Sequence, residues 1–177
     1  MSSPLPSRFA QMLPSDGPLP ELADKLALYG RLVGDWEMDV VEHGRDGAIR
    51  RGRGSIHFGW VLNGRAIQDI WRIPGVGQES AGEVAPMYGT TLRVYDPKLD
   101  AWRILWSDPV MQYYTHQIGR AVGDDIVQEG EDARGTPTRW SFKDITPNSF
   151  HWTAEYKPKG AADWHLGVEY FARRVSG

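Results

Sequence analysis

The sequence predicts an all-β protein: an antiparallel barrel of eight to ten strands with one N-terminal helix capping an end. Three observations carry this prediction. Ten short segments rich in β-branched and aromatic residues follow one another from about residue 35 to residue 174, with turn residues in every gap. Apolar and polar side chains alternate with period two wherever a segment is long enough to test. A meander of that length curls and closes, because closure removes its exposed edges.

Residues 1–18 carry Pro4, Pro6, Pro14 and Pro18 among Ser, Gly and Asp, and read as an extended arm ahead of a single domain at 19–177. From Pro20 to Val33, Leu22, Leu26, Leu28, Tyr29, Leu32 and Val33 recur at helical spacing. Pro20 suits the first turn, Glu21 suits the positive end of the helix dipole, and Gly34 ends the helix. Its stripe of Leu22, Leu26, Tyr29 and Val33 needs cover, which an open barrel end supplies. The strands follow at 35–42, 51–62, 65–73, 87–95, 101–107, 111–122, 125–130, 137–145, 149–157 and 164–174. Asp46-Gly47, Asn63-Gly64, Asp96-Pro97, Gly123-Asp124, Gly135-Thr136-Pro137 and Thr146-Pro147-Asn148 supply turns between them.

Alternation places Phe150, Trp152, Ala154 and Tyr156 on one face of their strand. Trp164, Leu166, Val168, Tyr170 and Ala172 share a face of the last one. Asn63-Gly64 is the strongest hairpin signal, since both central residues of a type I′ turn need positive φ. Centring the turn there opposes Leu62 with Arg65, Val61 with Ala66, Trp60 with Ile67, Phe58 with Asp69 and Ile56 with Trp71. Opposed residues project to one face. Ile56, Phe58, Trp60, Ile67, Asp69 and Trp71 therefore face inward together, and Asp69 is the anomaly among them. A carboxylate in that company either pairs with an arginine or ring N–H, or takes up a proton and becomes an acid/base group. Arg93, on the neighbouring strand, is the expected partner.

Composition narrows the function. Twenty Lys and Arg against 23 Asp and Glu give a net charge of −3, without a basic cluster to follow a phosphate backbone, so nucleic acid is not expected as a partner. With zero cysteines, disulfides, thiolate metal sites and Cys nucleophiles are excluded. His43, His57, His116, His151 and His165 are scattered without ligand spacing, so no metal site is expected. Gly-x-Ser-x-Gly and phosphate-loop patterns are absent from the sequence. Glu155 and Glu169 read as solvated charges on polar strand faces rather than a catalytic pair. The N-terminus has no basic segment leading into an apolar run, and no stretch has the length of a membrane span, so a cytoplasmic location away from membranes is expected.

Gly34-x-Trp36 lies within residues 26–40, LALYGRLVGDWEMDV, at the junction of helix and first strand. With FGWVLNGRAIQDIW (58–71), YGTTLRVYDPKLDAW (88–102), DITPNSFHWTAEY (144–156) and VEYFARR (168–174), it resembles a calycin-like bacterial family of unknown function. That family is related to the lipocalins and fatty-acid-binding proteins. The resemblance spans residues 26–174 and implies a closed barrel, a plugging helix and an internal cavity. It supplies no reaction. Nitrobindins are similar ten-stranded barrels that bind haem through a histidine near the chain end. His165 is similar in position, although alternation puts it on the polar face of its strand.

Eight tryptophans are more than a small barrel needs for filling, and barrels of this size can hold one ligand. The leading expectation is a binding protein for a small apolar or aromatic molecule. The expected contacts are Phe58, Trp60, Asp69, Trp71, Tyr88, Arg93, Trp106, Tyr114, His116 and Trp152. Two alternatives remain: a cofactor-independent cyclase, isomerase or lyase using Asp69 as acid or base, and a haem-binding barrel. No cofactor is expected apart from that haem alternative. Adjacent apolar pairs such as Ile104/Leu105 and Ile70/Trp71 point opposite ways, so some apolar surface faces outward, which leads to an expected homodimer.

Overall fold

Ten strands close into one antiparallel barrel in a computed structural model whose described residues are 7–175. Residues 1–6, which include Pro4 and Pro6 of the arm, and residues 176–177 lie outside the described residues. The chain enters through a short helix α1 (Arg8–Met12) and a two-residue strand β1 (Pro14–Ser15). A 3₁₀ turn (Pro20–Leu22) leads into helix α2 (Ala23–Gly30). The barrel strands are β2 (Gly34–His43), β3 (Ile49–Val61), β4 (Ala66–Ile73), β5 (Met87–Asp96), β6 (Ala101–Asp108), β7 (Tyr113–Val122), β8 (Asp125–Asp132), β9 (Pro137–Lys143), β10 (Ser149–Tyr156) and β11 (His165–Arg174). Each pairs with the next, and β11 returns to β2 from Val168↔Glu42 to Arg174↔Trp36, closing the barrel. β1 adds to β3 outside the closed ring, at Pro14↔Val61 and Ser15↔Trp60.

The register expected for the central hairpin is the observed one, from Ser55↔Arg72 to Val61↔Ala66, with Phe58 opposite Asp69 and Ile56 opposite Trp71. Its tip differs. Leu62 adopts φ 56° ahead of Asn63 at 55° and Gly64 at 73°, and the Leu62–Arg65 ladder pair is not formed. Arg65 N–H still donates to Leu62 O at 3.3 Å, and the N-terminal arm takes the other groups of the tip. Leu62 N–H donates to Leu13 O at 3.2 Å, Gly64 N–H to Ser15 Oγ at 3.0 Å, and Leu19 N–H to Gly64 O at 2.9 Å. The ladder's loss is thus compensated, as buried or paired backbone groups require.

The helix is shorter than its apolar spacing predicts. Its α-helical part ends at Gly30, and Pro20–Leu22 winds as 3₁₀. It nevertheless plugs one barrel end: Leu26, Tyr29 and Leu32 are fully buried, with Leu22, Leu28 and Val33 packed at the margin. Each fully buried side chain of this size is worth about 1.5–3 kcal/mol of transfer free energy. The last strand clamps the plug. Arg174 donates to Val33 O (2.8 Å) and Arg31 O (3.0 Å), satisfying carbonyls beyond the helix end, while its guanidinium lies 4.1 Å from the centre of the Trp36 ring. Trp36 in turn gives its Nε1–H to Leu32 O at 2.8 Å. Gly34, between them, has φ 131°, and a Cβ there would collide with the Arg174 guanidinium.

A bulge at Ala154/Glu155 breaks the alternation of the final hairpin. Ala154 opposes Val168 but Glu155 opposes Leu166, leaving Gly167 unpaired. Glu155 then pairs across to Arg139 at 3.0 and 3.1 Å, whereas Glu169 opposes Thr153, so the two glutamates do not meet. Among the described residues no helix is long and apolar enough to cross a membrane.

Candidate functional site

Opposite the plug, the barrel holds a cavity of about 260 Å³. Four tryptophans from four strands form a closed circuit in its wall. Trp71 (β4) meets Trp106 (β6) at a centroid distance of 6.4 Å, Trp106 meets Trp140 (β9) at 6.2 Å, Trp140 meets Trp152 (β10) at 5.5 Å, and Trp152 returns to Trp71 at 5.2 Å. Tyr170 (β11) stacks on Trp152 at 4.8 Å and 11°. Met87, Met111, Tyr113, Tyr156 and Val168 complete the apolar part of the wall. All four indoles point inward because the pleat sends alternate residues to one face, and the hairpin register fixes which ones.

Between the cavity and the plug lies a buried ion pair. Asp69 and Arg93 are each 1% exposed. Asp69 Oδ2 accepts from Arg93 Nη1, and Asp69 Oδ1 accepts from the Thr91 N–H at 2.8 Å. Arg93 contributes to the cavity wall, and its guanidinium packs 5.3 Å from the ring centre of Tyr29, 5.4 Å from Phe58 and 5.7 Å from Phe142. A second polar chain runs from the plug to the wall. The Tyr29 hydroxyl donates to Gln128 Oε1 (3.0 Å), Gln128 Nε2 to Gln117 Oε1 (3.3 Å), and Gln117 Nε2 to Thr138 Oγ1 (2.9 Å), and Thr138 lines the cavity. Burial, with Asp132 adding, pushes the Tyr113 hydroxyl up to about 12. Burial likewise raises Tyr29 and Tyr170 far above the ordinary phenol value, so these phenols stay protonated donors at neutral pH.

The wall is unbalanced in one respect. Trp71 Nε1, Trp152 Nε1 and Arg93 Nε are buried without a hydrogen-bond partner, and the remaining unpartnered buried side-chain atom among the described residues is Thr153 Oγ1. Thr153 is not part of the cavity wall. Leaving a buried donor unpaired costs roughly 1–3 kcal/mol each, so three in one wall is a concentrated expense. The wall's carboxylates are Glu155, paired with Arg139, and Asp108, which is 1% exposed and whose Oδ1 accepts the N–H groups of Val110 (2.9 Å) and Met111 (3.1 Å).

Of the ten contacts expected from sequence, the cavity wall contains Trp71, Arg93, Trp106 and Trp152. Phe58 and Asp69 are buried beside it: Phe58 meets Trp71 edge-on at 6.2 Å, and Asp69 touches the wall through its partners Arg93 and Thr91. With both carboxylate oxygens engaged, Asp69 presents no acid/base group to the cavity. Trp60 faces inward but packs over Gly30 at the plug end, away from the cavity. Tyr88 and Tyr114 are exposed by 54% and 46%, and His116 is exposed too; all three point outward. The correction is one of parity. Trp71 opposes Gly89 and Ser107 opposes Tyr114, so the neighbours of inward residues were chosen. Trp164 also lies outside, beneath the Arg139 guanidinium at 4.4 Å. Trp140, Tyr170, Tyr113 and Asp108 were missed. Carrying the Asp69 register strand by strand around the barrel finds Trp106 opposite Thr91, and the same procedure from Trp152 finds Tyr170.

No family model matches the sequence, and no curated protein matches it. Solved structures do. The S-type phycobiliprotein lyase CPES from Guillardia theta aligns with a TM-score of 0.56 at 11% identity, over 85% of this chain and 92% of that one. Rv2717c from M. tuberculosis aligns with a TM-score of 0.60 at 14% identity, over 90% of this chain and 99% of that one. The fold they share with this chain is a closed antiparallel β-barrel, of ten strands here. At these identities the likeness concerns the fold alone.

The histidines do not suit a haem site in this cavity, since none lies in its wall. His165 is exposed and stacked on Tyr156 at 5.8 Å. His43 and His151 flank Glu169 at 2.8 and 2.9 Å, His57 contacts Asp35 at 2.7 Å, and no cluster of metal-binding side chains occurs among the described residues.

Proposed function

We propose that this protein binds a small, predominantly aromatic molecule inside the barrel. The observation that carries the reading is the contiguous cluster of Trp71, Trp106, Trp140 and Trp152 lining a cavity of about 260 Å³. Small-molecule pockets run from roughly 300 Å³ upward, so this one suits a compact ligand of one or two rings. Ring faces and edges supply contact area with little side-chain entropy to lose. The ligand enters from the end away from α2, past Met111, Tyr113 and Tyr156. A second copy of the chain covers the outward apolar residues Ile70, Tyr88, Leu105 and Tyr114, which are exposed on adjacent strands β4–β7.

Intrinsic tryptophan fluorescence tests the ligand reading. Titration with naphthalene derivatives should quench the wall indoles saturably and raise the melting temperature. Ala154→Trp, which adds bulk to the cavity wall, should abolish both effects while preserving the β-rich circular dichroism spectrum. A wild-type protein whose fluorescence and melting do not respond to any of the compounds would remove the basis for this function.

A further inference from the structure

Cavity shape selects for rings, but the wall's polar groups select for something more. Among the described residues, the nitrogens buried without partners are Trp71 Nε1, Trp152 Nε1 and Arg93 Nε, and every one belongs to the cavity wall. All three are donors. The contrast with Trp36 is informative: equally buried, it gives its N–H to Leu32 O. The fold can thus satisfy a buried indole where nothing else needs it. Trp71 and Trp152 are neighbours in the wall, their ring centroids 5.2 Å apart.

Charge narrows the acceptor. The guanidinium of Arg93 is already neutralised by Asp69. Glu155 is neutralised by Arg139, and the Asp108 carboxyl lies in the same wall with only backbone N–H partners. An anionic ligand would therefore lose its hydration, face Asp108 and compete with Asp69 for the wall's cation. An uncharged oxygen pays far less of the first cost and avoids the other two, and its two lone pairs can accept from two N–H donors at once.

Resting on the cavity reading above, we infer that the ligand is an uncharged aromatic carbonyl compound whose oxygen is received by the indole N–H groups of Trp71 and Trp152. These residues set specificity, and the remaining wall sets size.

Three probes of one shape separate the elements of this claim: 2-acetylnaphthalene, 2-ethylnaphthalene and 2-naphthoate, titrated calorimetrically against the wild-type chain. The ketone should bind at least about tenfold more tightly than the hydrocarbon, the size of effect expected when a site built to donate meets a ligand that cannot accept. The carboxylate should bind more weakly than the ketone. Trp71→Phe and Trp152→Phe keep a ring but remove the N–H, and each should shrink the ketone-to-hydrocarbon ratio towards one. Equal binding of ketone and hydrocarbon by the wild-type chain overturns the inference and leaves the aromatic cavity reading standing. So does tighter binding of the carboxylate than of the ketone. Binding of none of the three overturns the cavity reading and the inference together. The wild-type ratio decides the matter even if a phenylalanine variant fails to fold.

Discussion

Replacing Asp69 by asparagine removes one charge from the most deeply buried ion pair of the barrel. Both partners are 1% exposed, so water cannot take over either role. The Oδ1 acceptor of the Thr91 N–H can be kept by the amide oxygen. The Arg93 contact cannot, because the amide NH₂ then faces a guanidinium N–H, donor against donor. The aromatic faces of Tyr29, Phe58 and Phe142 around the guanidinium offer only partial compensation for a stranded cation. Breaking a buried pair from one side costs about 3–5 kcal/mol. In a chain of this length that corresponds to a melting-temperature loss of roughly 6–20 °C. Urea denaturation followed by tryptophan fluorescence and by circular dichroism measures the change, with an unaltered m-value showing that the same surface unfolds. The double variant Asp69→Leu/Arg93→Met should recover most of the loss, since an apolar replacement of the whole pair leaves no uncompensated charge. An Asp69→Asn protein within about 1 kcal/mol of the wild type, the scale of an ordinary substitution, would refute the view that this pair is buried and mutually dependent.

Other outcomes follow from the same contacts. Deleting residues 1–33 removes Leu26, Tyr29 and Leu32 from the barrel end and should abolish cooperative melting; a truncated protein that melts cooperatively would show that α2 does not complete the core. Burial pushes the Glu169 carboxyl up, but hydrogen bonds from His43 and His151 outweigh it and leave the group below its ordinary value of 4.5. A depressed carboxylate stabilises the fold above its unfolded pKa and loses that contribution as pH falls through the folded one. Stability measured between pH 6 and pH 3 should therefore fall less steeply in Glu169→Gln than in the wild type, and parallel curves would contradict the linkage. Sedimentation at micromolar concentration should show a dimer that Leu105→Asp dissociates; a wild-type monomer would leave the exposed β4–β7 face without the partner assigned to it.

The period-two pattern and the turn residues determined the strands, because both are local: a pleat sends alternate side chains to opposite faces, and the positive φ of a tight turn favours residues such as Asn63 and Gly64. The Asn63-Gly64 turn also determined one register, and with it that Asp69 lies inside and Arg93 beside it. Everything beyond one hairpin required closure. Which residue of Tyr88 and Gly89, or of Tyr113 and Tyr114, faces the cavity depends on parity carried across each successive strand pair, and a bulge such as that at Ala154/Glu155 shifts it by one. Likewise, no local pattern says that Trp60 meets the plug while Trp140 meets the cavity, since both alternate correctly. Their depth along the barrel separates them, and depth is set by strand stagger. The short turn at Leu62 was hidden for the same reason: its N–H is taken by Leu13, 49 residues earlier in the chain, in an arm whose course only the folded barrel defines.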